Sequence, residues 1–181
     1  MGLTLTVNAQ EDCEYSVVET TEGQELKSTK DYLMYEKVFG GTSQFLFFSL
    51  SNSQGVPLLN FQLLSKSRDF TKAYCLEKGS KIYIQLTNGK VITLINAFEE
   101  HCSNLVYDSN EKNNIRVLTS TFLFTKGSLE DLEKYSISFI RVKYAGETVD
   151  YPIKKQLQSE AMGKSYFPED YFIRTLKCIR E

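Results

Sequence analysis

Apolar and polar residues alternate with a period of two through much of this chain, most regularly from Lys81 to Ala97, where Asn88-Gly89 interrupts the pattern. A period of two is that of a strand with one buried face, and Asn-Gly accepts the positive φ of a type I′ turn. The spacing predicts a β-hairpin with a two-residue loop, pairing Thr87 with Lys90, Leu86 with Val91, Ile84 with Thr93 and Ile82 with Ile95. In that register Ile82, Ile84, Leu86, Val91 and Ile95 form the core face, with Thr93 among them. Tyr83, Ile92 and Leu94 then fall on the other, more polar face, which makes them the candidate contact surface for a helix, a subunit or a ligand.

Other segments carry the same signal. Leu3 to Val7 alternates, Tyr15 to Val18 forms a short β run, and Asp31 to Phe39 reads as a strand ended by Gly40-Gly41. Phe45 to Leu50 is apolar on both faces, as expected of a central strand covered on both sides. Asn52 to Gly55 supplies turn chemistry, and Leu58 to Leu64 returns as the partner strand with Pro57 at its start. Ala73 to Leu76 leads into the main hairpin, and Leu105 to Asp108 and Ile115 to Thr125 flank a polar turn.

Ser128-Leu129-Glu130-Asp131 has the spacing of a capping box and predicts a short helix ending near Tyr135. Ile137 to Ile153 reads as a further hairpin turning at Ala145-Gly146, with Val142 opposite Val149 and Arg141 opposite Asp150. Leu-Glu-Lys at 76–78 and again at 132–134 suggests a degenerate repeat, each copy preceding a hairpin. The period changes after Pro168, where Phe172, Ile173, Leu176 and Ile179 follow at helical spacing over about twelve residues. Residues 154–165 fit either a polar loop or a second short helix.

These elements predict an α+β, mainly β fold: an antiparallel, meander-like sheet or open barrel with an amphipathic helix at the C-terminal end. One domain spans residues 1–181, or two β-rich lobes divide the chain at about 1–72 and 73–181. The alternating hairpins, Ser128-Leu129-Glu130-Asp131-Leu132, the strand from Ile137 to Val142 and the closing helix resemble uncharacterised β-rich proteins of gut-type bacteria over residues 76–181. That resemblance implies a fold class and no function, ligand or catalytic residue.

Charge adds little: 21 Lys and Arg oppose 23 Asp and Glu, so no overall basic field draws nucleic acid or an anionic membrane. Residues 1–31 are acidic and read as a solvated edge. Cys13, Cys75, Cys102 and Cys178 make no C-x-x-C pair and are expected as reduced, mostly buried thiols, with two disulfides the alternative in an exported chain. No leader is visible at Met1-Gly2-Leu3-Thr4, which places the chain in the cytoplasm unless a leader has been removed. Gly2 with Thr6 matches the myristoylation pattern only formally, and no apolar run is long enough to span a bilayer.

Nucleotide-binding, nucleophile-elbow and metalloprotease motifs are all missing. His101 stands alone, and Glu99, Glu100 and Asp108 show no spacing that would bring two carboxylates together. No catalytic, cofactor-binding or metal-binding residue is assigned. The expected function is a non-catalytic binding or interaction module for a protein partner or a second copy. The alternative is an apolar small molecule or lipid inside a curved sheet, in a cavity lined by Phe45, Phe47, Phe48, Phe122 and Phe124. An enzyme of unrecognised type is the third reading.

Overall fold

The computed structural model describes residues 13–180. Leu3 to Val7, the Gly2 acylation pattern and the first carboxylates of the acidic margin lie outside that range. The strands in chain order are β1 (Tyr15–Thr21), β2 (Gln24–Thr29), β3 (Tyr32–Phe39), β4 (Thr42–Ser53), β5 (Val56–Ser67), β6 (Cys75–Leu76), β7 (Lys81–Leu86), β8 (Val91–Asn96), β9 (His101–Cys102), β10 (Asn104–Asp108) and β11 (Asn113–Phe124). Helix α1 (Ser128–Leu132), β12 (Ile137–Lys143), β13 (Thr148–Pro152), β14 (Leu157–Gln158), β15 (Ser165–Tyr166) and helix α2 (Tyr171–Thr175) follow. The fold is mainly β and antiparallel, and the sheet is open.

Among the described residues three long strands, β4, β5 and β11, form the spine of an eleven-stranded sheet whose main path runs β1-β2-β4-β5-β11-β8-β7-β12-β13, with β3 and β10 off it. The sheet forks on both sides of this spine. Along one edge β4 pairs with β3 up to Phe48 and with β2 from Ser51. Along the other, β11 pairs with β10 up to Val117 and with β8 from Phe122. Tight turns drive the meander: Gly40-Gly41 joins β3 to β4 and Gln54-Gly55 joins β4 to β5, each with positive φ at both residues, as a two-residue turn between twisted strands favours.

Phe45 to Leu50 is covered on both sides, as its composition predicts. Leu46, Phe48 and Leu50 enter the main core with Leu59, Phe61, Ile82, Ile84 and Phe122. Phe45 lies in a second cluster with Leu33, Leu157 and Tyr166. The segment left open between loop and helix therefore folds as the small β14–β15 hairpin. A register shift in β3 between Leu33 and Tyr35 accompanies burial of both Leu33 and Met34, one in each cluster.

The main hairpin forms, but in a different register. Leu86 N donates to Lys90 O and Gly89 N to Leu86 O, so the loop is the three residues Thr87-Asn88-Gly89, with only Gly89 at positive φ (+87°). Ile82 now opposes Leu94, and Ile84 opposes Ile92. The one-residue slip exchanges the two faces of β8: Ile92 and Leu94 are buried in the main core, while Val91 and Ile95 are exposed. Asn96 comes inward and is satisfied there, donating to Glu77 O and Phe98 O and accepting from the Ser120 hydroxyl.

The later hairpin has the predicted two-residue loop, with Val142 opposite Val149 and Arg141 donating to Asp150 at 2.6 and 2.9 Å. Its β12 pairs with β7, so the two hairpins that follow the Leu-Glu-Lys tripeptides lie side by side. Helix α1 forms without its capping box, because the Ser128 hydroxyl donates back to Thr125 O and Asp131 instead accepts from Lys90. At the C-terminal end the helix is shorter than the predicted twelve residues: α2 has five residues and is flanked by 3₁₀ turns at Pro168–Asp170 and Leu176–Cys178. Tyr171, Phe172, Leu176 and Ile179 close the main core.

The expectation of reduced thiols is corrected. Cys13 bonds Cys178 and Cys75 bonds Cys102, the second directly across the β6–β9 pair. Residues 165 apart in sequence gave no local spacing that could reveal the first link.

Three buried tyrosines make stability sensitive to alkali. Tyr144 and Tyr151 share a hydrogen bond of 2.7 Å, and burial pushes both phenols, and that of Tyr171, above their ordinary value. In the unfolded chain these phenols ionise near pH ~10. The folded state then holds more protons, so stability is full below that pH and falls as pH rises toward the folded values. Thermal unfolding followed from pH ~8 to ~11 is expected to show a flat midpoint and then a decline; a midpoint unchanged to the alkaline limit would contradict the assignment.

Candidate functional site

Two surfaces stand out, and the first is the outer face of the β8-β7-β12-β13 sheet. Its side chains lie in cross-strand rows set by the register: Leu123, Ile95, Lys81, Lys143 and Thr148; then Thr93, Tyr83, Arg141 and Asp150; then Val91, Gln85, Phe139 and Pro152. Tyr83, Gln85, Val91, Phe139 and Arg141 line an open depression of about 480 Å³. Lys81 and Lys143 oppose each other directly, and neither makes an ion pair among the described residues. Like charges placed opposite one another in a sheet repel. Arg141, by contrast, is neutralised by Asp150, whose carboxyl its hydrogen bond holds below the usual range.

Of the predicted contact residues, only Tyr83 is on this surface; Ile92 and Leu94 belong to the core. Val91 and Ile95 take their place outside. The five phenylalanines do not converge on a cavity. Phe48 and Phe122 are fully buried with Phe61 between them, at ring separations of 6.4 and 5.7 Å. Phe45 and Phe47 stack on one another beside the second cluster, and Phe124 packs on Phe172. Their own rings fill the interior that a ligand would need.

The second surface is a cleft of about 320 Å³ between the start of β3, the β15 segment and α2. Tyr32 stands at its centre, edge-on to Tyr166 at 5.2 Å and tilted against Tyr171 at 5.3 Å. Its hydroxyl accepts from Phe167 N and from Arg174 Nη2, which also donates to Phe167 O. The guanidinium thereby lies over the Tyr32 ring, and Lys164 lies over Tyr166 at 4.9 Å. Lys30 at the rim is paired with Glu14, Asp31 adds an exposed carboxylate, and the Cys13–Cys178 disulfide forms part of the wall.

Three buried side-chain polar atoms among the described residues have no hydrogen-bond partner, and two of them, Tyr171 OH and Arg174 Nε, belong to residues lining this cleft. Thr29 lies close enough to interact with the Tyr171 phenol but falls short of hydrogen-bond geometry, and its own Oγ accepts from Leu50 N. Burial keeps the phenol protonated and hence a donor. An unsatisfied buried donor costs about 1–3 kcal/mol, so two in one cleft are a feature to explain. Nothing in the sequence pointed here: the residues come from separate segments, and the only local trace is the i, i+3 spacing of Tyr171 and Arg174.

Two of the remaining candidates, His101 and Asp108, make contacts with the backbone. Both ring nitrogens of His101 lie against backbone carbonyls, those of Glu99 and Thr119. Asp108 accepts from Asn110 N and Glu111 N in the β10–β11 turn, and Glu99 and Glu100 are exposed. Among the described residues no three His, Cys, Asp or Glu side chains gather to hold a metal ion, and no helix is long and apolar enough to cross a membrane.

The chain matches no protein-family model, no curated protein and no solved structure.

Proposed function

We propose that this chain is a non-catalytic interaction module whose outer β8-β7-β12-β13 face receives an acidic protein segment carrying apolar side chains. The observation that carries this reading is the opposed, unpaired Lys81–Lys143 pair set beside apolar neighbours, with Ile95 and Leu123 in the same row, Tyr83 in the adjoining row and Phe139 in the row beyond it. An incoming carboxylate relieves the repulsion, and the flanking side chains supply area to bury. A second copy presenting the same face would bring four ammonium groups together, which disfavours a two-fold homodimer through this surface. The groups whose titration is displaced are exposed ion-pair partners and core or half-buried tyrosines, a pattern that supports binding over catalysis. The two disulfides support an oxidising compartment in preference to the cytoplasm.

The test uses two synthetic peptides, one alternating Glu with Leu and Phe and one with Lys in place of Glu. The acidic peptide is expected to shift the resonances of Tyr83, Ile95 and Lys143, with affinity falling as salt rises. Lys81→Glu/Lys143→Glu is expected to weaken it about tenfold or more. Equal binding of both peptides, binding unchanged in the double variant, or a dimer through this face in light scattering would each sink the reading.

A further inference from the structure

We propose that the cleft between Tyr32, Tyr166 and α2 binds a small organic carboxylate, with Arg174 and Lys164 facing the charged head, the Tyr171 hydroxyl donating to it, and the tyrosine rings holding an apolar or cyclic body. Three observations meet there. The two orphaned atoms, Tyr171 OH and Arg174 Nε, are both donors, so the missing partner is an acceptor. Lys164 and Arg174 lack carboxylate partners among the described residues, whereas Lys30 is already paired with Glu14. The cleft's volume of about 320 Å³ is that of a small-molecule site.

The ligand class follows from the lining. Arg174 Nη2 is committed to the Tyr32 hydroxyl and Phe167 O, and its Nε is a buried donor without a partner. With Asp31 at the rim, a multiply charged phosphate is less well matched than a single carboxylate. Tyr32 is held between Phe167 N and Arg174, so its ring is positioned before any ligand arrives. Thr29 and Thr175 add hydroxyls to the wall.

Benzoate, benzyl alcohol and inorganic phosphate separate the contributions of ring and charge. In two-dimensional NMR titrations of the full chain, benzoate is expected to saturate shifts at Tyr32, Tyr166 and residues 171–175, with the other two probes about tenfold weaker or worse. Lys164→Gln, at an exposed position, is expected to weaken benzoate about tenfold while leaving the fold intact. Tyr171→Phe removes an unsatisfied hydroxyl, so the free protein is expected to unfold at the same or a higher temperature while benzoate binding weakens several-fold. A merely structural tyrosine would not give that opposition. The proposal is overturned if benzoate produces no saturable shifts in the cleft, if phosphate or benzyl alcohol binds equally well, or if both variants bind benzoate as the parent does. Water alone as the partner of both donors predicts the first of these results.

Discussion

Reduction of both disulfides is expected to destabilise the folded chain more than any surface change, with the larger share coming from Cys13–Cys178. That link joins residues separated by 165 positions, and loop-closure entropy in the unfolded chain alone gives an upper figure of about 5 kcal/mol. The Cys75–Cys102 link closes a separation of 27 and is expected to contribute about 3–4 kcal/mol on the same argument. Cys13→Ser and Cys75→Ser separate the two, and denaturant unfolding with and without reductant reads each contribution. The Cys13 variant should be the weaker protein, because its longer loop regains more freedom. Four free thiols by mass under oxidising conditions, or a midpoint unmoved by reductant, would refute both links.

The second large effect is expected at Phe48. Its side chain has no exposed surface, and its ring lies 6.4 Å from Phe61 and 6.2 Å from both Tyr171 and Phe172. It therefore joins the spine of the sheet to the C-terminal helical segment. Phe48→Ala removes buried area and leaves a cavity among rings already fixed by the backbone, at a cost of about 3–5 kcal/mol. Against a typical total of about 5–15 kcal/mol this is a large fraction. Phe39→Ala, at a position 77% exposed in the same sheet, is the control and should fall within about 0.5 kcal/mol of the parent. Similar shifts in the two denaturant midpoints would mean that Phe48 does not join these layers.

Much of the fold was legible because local chemistry agreed with the final packing. Gly40-Gly41, Gln54-Gly55 and Ala145-Gly146 each lie between strand-forming runs, and each forms the two-residue loop of a hairpin. The apolar double face of Phe45 to Leu50 announced cover on both sides, although not that residues 157–166 would supply part of it. The main hairpin shows where local chemistry fails. Asn88-Gly89 favours a two-residue loop, but the register is decided by which of two similar faces enters the core, and that choice is long-range. Moving Ile92 and Leu94 inward also admits Asn96, whose polar groups are satisfied by Glu77, Phe98 and Ser120, contacts that alternation cannot foresee.

The candidate sites were less legible for the same reason. Tyr83 was identified from the strand to which it belongs, but its neighbours on the outer face depend on the β7–β12 register and on the slip in β8. The cleft depends on a disulfide, a hairpin and a helix meeting around Tyr32. Its residues carry no motif, and the orphaned donors of Tyr171 and Arg174 become visible only when every buried polar atom has been given its partner.

The loop Thr87-Asn88-Gly89, with Gly89 at positive φ, is itself a favourable three-residue hairpin turn, so the local chemistry admits two registers. The two pairings differ by a single residue, and the completed core selects the one that buries Ile92 and Leu94. Ile92 and Leu94 therefore reach their places through contacts with distant strands, β11 among them, and not through the turn alone. Closure of β7 on β8 in the native register is therefore expected to need the core contacts that select it.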